Sequence, residues 1–283
     1  SLVGAGSGSG GPINFGIQYT AGVYTVVATT PATGCTNNMA GSVTITINPL
    51  PTVFTVTQTA ASYCDGGTGV GIGLNGSSTG VNYQLYLDGV PVGSTVAGTG
   101  SAINFGLKTA AGIYTVVAVN PTTMCTMNMA GSATVLINAA PAVYIVSGGG
   151  SYCSGGTGLP IGLSSSNVGI SYQLKNGGTS VGAPLAGTGS GLSFGIISAA
   201  GTYTVVATNP ATGCTRNMSG SASVVVNSQP SAFAVNGGGN YCLGTAGVPV
   251  GLSGSATGVN YQLYNGSAAV GAMVPGTGSD ITF

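Results

Sequence analysis

Cysteine returns in this 283-residue chain at a fixed interval, and that interval constrains the fold more than any other feature. Cys35, Cys125 and Cys214 are 90 and 89 residues apart, while Cys64, Cys153 and Cys242 are 89 and 89 apart. Two interleaved series therefore share one period. The neighbouring segments keep the same step, AGVYTVVATTPATGC becoming AGIYTVVAVNPTTMC and then AGTYTVVATNPATGC. Self-similarity of this kind reads as a tandem array of one small unit.

Short Pro-containing joints recur at Asn48-Pro49-Leu50-Pro51, Asn138-Ala139-Ala140-Pro141 and Asn227-Ser228-Gln229-Pro230. Each follows an alternating strand and precedes another, as a tight linker between beads does. The expected division is residues 1–49, the back half of a repeat; 50–139 and 140–228, two complete repeats; and 229–283, the front half of another. Phe15, Phe105, Phe194 and Phe283 occupy equivalent positions, so the sequence spans three periods plus a short overlap. Two explanations are open: an excerpt of a longer array, or a subunit whose half-repeats complete one another head to tail.

Within 140–228 the β-branched runs predict strands at 143–147, 159–164, 170–175, 192–197, 202–208 and 221–227, with a weaker one near 180–185. Seven short strands in about 90 residues, separated by Gly, Asn, Ser and Pro turns, give an antiparallel β-sandwich. Period-two alternation places Val70, Ile72, Leu74 and Leu159, Ile161, Leu163 on the buried face, as it does Ala133, Val135, Ile137 and Ala222, Val224, Val226. Pro160 and Pro249 lack an amide hydrogen on the outward side, so this second strand is expected to start near an edge. The fold class expected is all-β: tandem immunoglobulin-like antiparallel sandwiches of about 89 residues, arranged as a rod or filament.

Composition then removes whole classes of function. Only three cations (Lys108, Lys175, Arg216) and three aspartates (Asp65, Asp88, Asp280) are present, with no histidine and no glutamate. Proton transfer, nucleophile activation and hard-cation binding lack their side chains, so no catalytic residue, metal or cofactor is expected and the chain is read as no enzyme. Three cations cannot neutralise a run of phosphates, which argues against nucleic acid. Apolar runs such as Val23 to Ala28 are far shorter than the roughly 18 residues of a bilayer span.

Tyr24, Tyr114 and Tyr203 each stand two residues after a glycine at the start of a hydrophobic strand. That placement resembles the tyrosine corner of immunoglobulin-like sandwiches, where the phenol bonds back to the chain. Valine (Val26, Val116, Val205) replaces the antibody cysteine two residues on, and Tyr83, Tyr172 and Tyr261 take the third-strand position in place of tryptophan. The motifs Tyr-Cys-Ser-Gly-Gly-Thr-Gly at 152–158, Gly-Thr-Tyr-Thr-Val-Val-Ala-Thr at 201–208 and Gly-Cys-Thr at 213–215 resemble the SprB-type and related repeats of giant surface adhesins of gliding and biofilm-forming Bacteroidota. The family's usual Asp before Gly-Cys is replaced here by Pro-Ala-Thr or Pro-Thr-Thr, which puts any calcium role for that acid in doubt.

Six cysteines without Cys-x-x-Cys spacing or histidine partners do not form a zinc site, and disulfides in an oxidising compartment are favoured over free thiols. Three pairings are open. Within a repeat, Cys64 would meet Cys125 and Cys153 would meet Cys214, although the first cysteine is expected at the turn after the first strand and the second at the last turn, at opposite ends. Between successive repeats in a head-to-tail rod, Cys64 would meet Cys214 and staple the beads; this is the leading expectation. The third set, Cys35 with Cys64, Cys125 with Cys153 and Cys214 with Cys242, turns each linker into a hairpin.

Other recurring features carry weaker functional readings. The loops at 98–101, 187–190 and 276–279 (Gly-Thr-Gly-Ser) superficially resemble phosphate loops but lack the lysine and the strand-to-helix setting. Asn75, Asn217 and Asn265 begin Asn-x-Ser acceptor patterns for glycosylation, and O-linked sugar on Ser and Thr would solubilise a surface with so little charge. Met39, Met129 and Met218 are expected to plug the sandwich end. Tyr63, Tyr152 and Tyr241 are expected either to pack across the joint between repeats or to stack on sugars.

These readings converge on a disulfide-stabilised structural protein, an extracellular, cell-surface filament or the stalk of a bacterial adhesin. Its expected partner is itself, by head-to-tail continuation and by lateral bundling through edge strands almost free of charge. The alternative is an adhesive module whose repeats bind surface glycans.

Overall fold

The computed structural model describes residues 4–58 and 60–283, and every regular element among them is a β-strand. The chain divides into two units, Ser1–Ala139 and Ala140–Phe283.

The first unit contains β1 (Gly22–Tyr24), β2 (Val27–Thr29), β3 (Thr36–Asn38), β4 (Val43–Ile45), β5 (Ala60–Cys64), β6 (Val70–Leu74), β7 (Asn82–Leu87), β8 (Val90–Ala97), β9 (Ile103–Lys108), β10 (Gly112–Val119), β11 (Thr126–Asn128) and β12 (Ala133–Asn138). A six-stranded sheet runs β5-β12-β10-β7-β8, with β11 joined to β10. Across the core lies the pair β6-β9, extended by an antiparallel bridge from Val56 to Leu74. Two nearby segments therefore serve different sheets: Val56 pairs with Leu74 in one, and β5 pairs with β12 in the other.

Alternation explains which faces meet. In β10, Tyr114, Val116 and Ala118 are buried while Thr115, Val117 and Val119 between them are only half-buried. Tyr83 and Leu85 of β7 and Ile72 and Leu74 of β6 complete the core from both sides. Burying each such side chain stabilises by about 1.5–3 kcal/mol, which the two-residue period delivers to one face of each strand. The outer strands β1 to β4 form only the pairs β1-β4 and β2-β3, and Val23 and Val43 on them are exposed.

The second unit contains β13 (Val146–Gly148), β14 (Gly150–Cys153), β15 (Leu159–Leu163), β16 (Ser171–Asn176), β17 (Thr179–Ala186), β18 (Leu192–Ile197), β19 (Gly201–Thr208), β20 (Thr215–Asn217), β21 (Ala222–Asn227), β22 (Val235–Gly237), β23 (Val250–Leu252), β24 (Asn260–Asn265), β25 (Ala268–Pro275) and β26 (Ile281–Thr282). Its sheets repeat the pattern: β14-β21-β19-β16-β17 with β20 on β19, facing β13-β15-β18. Beyond them lie β22-β23-β26 and the hairpin β24-β25.

Four expectations need correction. The strand carrying Pro160 is central, with β15 between β13 and β18, but β13 pairs only with Ile161–Leu163, so the missing Pro160 amide falls on the β13 side beyond the end of that strand. The weak strand near 180–185 is the eight-residue β17. An additional strand, β5 or β14, precedes the turn where only a loop was expected, and a short arm, β11 or β20, follows Cys125 or Cys214. Finally, alternation in the last strand holds only at its start: Ala133, Val135, Ala222 and Val224 are buried, whereas Ile137 and Val226 lie exposed at 42% and 36%.

Candidate functional site

A parallel seam lies at one margin of each large sheet. β5 runs beside β12 in five register pairs, from Thr134↔Ala60 to Asn138↔Cys64, and β14 runs beside β21 from Gly150↔Val224 to Cys153↔Asn227. Isolated parallel bridges, Thr55↔Ala130 and Ile145↔Ser219, extend both seams toward the N-terminal side. The early strand and the last strand of each sandwich are thus zipped together pointing the same way.

The cysteines sit at the ends of this architecture. Cys64 and Cys153 close β5 and β14, while Cys125 and Cys214 immediately precede β11 and β20. In the first unit Cys64 is in the disulfide form and Cys35 and Cys125 are free thiols; in the second Cys214 is in the disulfide form and Cys153 and Cys242 are free. Every pair of the in-repeat set and of the hairpin set contains at least one free thiol, so neither set is formed. Sheet geometry shows why Cys64 cannot reach Cys125. Gly112 at one end of β10 pairs with Val135, close to the Cys64 end, whereas Val119 at the other pairs with Thr126 beside Cys125. Seven residue steps of strand are about 24 Å, against the roughly 7 Å that a disulfide allows between Cα atoms.

Tyrosines hold the loops around the seam. At the corner position, the hydroxyls of Tyr24, Tyr114 and Tyr203 donate to the carbonyls of Thr20, Ala110 and Ala199 at 2.8, 2.9 and 2.8 Å. Tyr83, Tyr172 and Tyr261 do the converse: their hydroxyls accept from the amides of Ser78, Asn167 and Ala256, each at 2.8 Å. A third pair reaches further, Tyr63 donating to the Thr109 carbonyl and Tyr152 to that of Ser198. Tyr63 and Tyr152 therefore spend their hydroxyls inside their own repeats and are half-buried, whereas Tyr241 is exposed.

The Gly-Thr-Gly-Ser loops spend their polar groups inside the repeat in the same way. Ser77, Ser166 and Ser255 are buried, and each donates at 2.6 Å to a carbonyl of the Gly-Thr-Gly-Ser loop, at Ser101, Ser190 and Ser279. The same hydroxyls accept the amides of Thr99, Thr188 and Thr277 at 2.9 Å, leaving those amides unavailable to a phosphate. Met129 and Met218 are buried, their sulfurs accepting from the Phe54 and Tyr144 amides, whereas Met39 is 42% exposed. Of the glycosylation candidates, Asn75, Asn217 and Asn265 are all exposed, but the Asn75 side-chain oxygen accepts the Thr55 amide at 2.8 Å, the task Ser164 performs for Ile145. No cluster of three or more metal-ligating side chains occurs among the described residues. A recess of about 290 Å³ between β17 and β18 is lined mainly by Leu174, Val181, Leu185, Phe194 and Ile197, with Ser193 as its one hydroxyl side chain.

One titration is shifted. Burial pushes the Tyr114 phenol above its ordinary value near 10; the Tyr63 hydroxyl and the Asp88 carboxylate add to the shift, and the bond to Ala110 opposes it. The unfolded chain then loses this proton first as pH rises. The stability it contributes is fully present below about pH 10 and lost as pH climbs through the folded value. Urea unfolding should show a decline above pH 10 that Tyr114→Phe flattens. Toward acid, three aspartates are the only carboxylate side chains in the sequence, so loss of stability from pH 7 to pH 2 should be shallow.

Strand order, the pairing of two early segments in different sheets and the tyrosine corner together define immunoglobulin-like antiparallel β-sandwiches. No family model and no curated protein matches the chain. Among solved structures it is similar to murine CEACAM1b at 11% identity and a TM-score of 0.30, covering 62% of this chain and 99% of that one. It is likewise similar to the N-terminal eight Ig domains of Down Syndrome Cell Adhesion Molecule, at 15% identity and a TM-score of 0.36, covering 75% and 28%. The fibronectin(III)-like modules of Clostridium thermocellum CbhA are similar at 13% and 0.31, covering 62% and 95%. The assignment of the fold rests on the topology and not on these likenesses.

Proposed function

We propose that the chain is a length of an extracellular filament or adhesin stalk whose repeats carry tension. The observation that carries this reading is the parallel seam. Tension entering a repeat at its N-terminal side pulls β5 toward its own start, while tension leaving at the C-terminal side pulls β12 toward its end. Two parallel strands pulled in opposite directions load all their hydrogen bonds together in shear. Strands peeled from one end would instead yield one bond at a time.

In this reading, residues 50–139 and 140–228 are complete load-bearing repeats, with 1–49 and 229–283 as halves of others. The terminal cysteine of the early strand bonds to the turn cysteine of the following repeat, Cys64 to Cys214; this staple carries tension past residues 65–213, so the seams β5-β12 and β14-β21 take it up in shear once the bond is reduced. Their disulfide form, one from each positional class, supports the staple. The resemblance to SprB-type repeats favours a bacterial cell surface, with self as the principal partner in head-to-tail continuation.

The glycan-binding alternative would draw on exposed loop tyrosines such as Tyr241. Electron microscopy of the native material, with a glycan array probed by the same chain, separates the two. Long filaments without glycan retention are expected; isolated particles that bind glycans would replace the mechanical reading.

A further inference from the structure

Sandwich margins that end in an unpaired strand invite another strand to add, and β8, β17 and β25 are such strands, each paired only with β7, β16 or β24. All three are eight residues long, and none contains a charged residue. Each contains one proline, at a different place: Pro91 is second in its strand, Pro184 sixth and Pro275 last.

Hydrogen-bond phase decides what those prolines do. In an antiparallel ladder, successive amides point alternately toward the partner and away from it. The amides of Gly187 and Gly276, just past β17 and β25, donate inward to Ile170 and Val259. Counting back by one places Pro275 at an outward position, and counting back by three does the same for Pro184. In β8 the two-residue turn Asp88-Gly89 fixes the phase. Asp88 donates to Ile113 on the β10 side, so Tyr86 also faces β10, and its cross-strand partner Pro91 faces away from the sheet. A proline at any of these positions deletes the outward N–H that an incoming strand would need.

The edge of the facing sheet is closed differently. β9 and β18 contain Gly106 and Gly195 at φ of 80° and 85°, and Asn104 Oδ1 or Ser193 Oγ accepts the glycine amide. The pairing register shifts beside each of them, between Gly71 and Gly73 and between Pro160 and Gly162. Such a bulge bends the strand away from a regular ladder.

We infer that Pro91, Pro184 and Pro275 bar a second copy of this chain from adding a strand at the β8, β17 and β25 margins. The scarcity of charge led the sequence to suggest bundling through edge strands; at these margins the prolines supply the protection that charge does not. The inference rests on topology alone and holds whether the chain bears load or binds glycans.

The test compares three forms of the full chain with free thiols alkylated: the parent, the variant Pro91→Thr, Pro184→Thr, Pro275→Thr, and a relocated variant. The last adds Thr95→Pro, Ser180→Pro and Ala269→Pro to the three threonine changes, returning one proline to another outward position of each strand. Sedimentation velocity and light scattering should show at least about tenfold more assembly in the threonine variant than in the parent, with native circular dichroism. The relocated variant should behave as the parent. A threonine variant as dispersed as the parent overturns the inference, and so does a relocated variant that assembles as much as the threonine one.

Discussion

Pulled from its two ends, the oxidised chain should reach full extension at about 470 Å, and the reduced chain at about 990 Å, taking roughly 3.5 Å per extended residue. The difference is the segment 65–213, which a Cys64–Cys214 staple removes from the path of force even when every strand in it has unfolded. Strand seams alone would delay unfolding without shortening the extended chain. A staple sets a limit that no hydrogen-bond rupture can exceed, because the force then runs through a covalent bond. Single-molecule stretching with and without reductant measures both lengths, and Cys64→Ser should give the longer value without reductant. An extension indifferent to reductant would remove the staple from the proposal and leave the parallel seam intact.

Replacing Tyr172 is expected to destabilise the second complete repeat strongly. The ring is fully buried, and its hydroxyl accepts the Asn167 amide. Tyr172→Ala removes a large aromatic from a closed core, at a cost of about 3–5 kcal/mol. Tyr172→Phe keeps the ring but leaves the amide without its acceptor, costing about 1–3 kcal/mol. Gly187 shows how tightly the site is drawn: a Cβ there would lie 1.9 Å from the Asn167 carbonyl oxygen and 3.0 Å from the Tyr172 ring. Guanidinium unfolding of the full chain should split into two transitions in the alanine variant, with the first complete repeat holding near its parent midpoint. A single unshifted transition would show that this tyrosine is dispensable.

The elements that alternation marks were legible in the sequence: β15, β18 and β19 lie within a residue of where β-branched spacing placed them. β14 was not, because Gly150-Ser151-Tyr152-Cys153 has neither alternation nor strong strand formers. It exists because β21 offers a parallel partner, and pairing across some 75 residues leaves no local mark. Pro160 marked an amide position without a ladder partner, yet its strand is central, because β13 pairs only from Ile161 onward. At the site, the corner tyrosines were recognisable from the preceding glycine. The reverse bonds of Tyr83 and Tyr172 were not, since nothing in the spacing says whether a phenol donates or accepts. The identical five-residue offset in three repeats was the available clue.

Apart from Asp88 on the Ile113 amide and Lys175 on the Gly178 carbonyl, the bonds named here that hold the loops join neutral partners, phenols, hydroxyls and thioethers to backbone amides and carbonyls. Dissolved ions screen charges, and here they find almost none to screen. The fold should therefore keep its stability from fresh water to brine with little change, so that dilution or concentration of the surrounding salt is no lever on it.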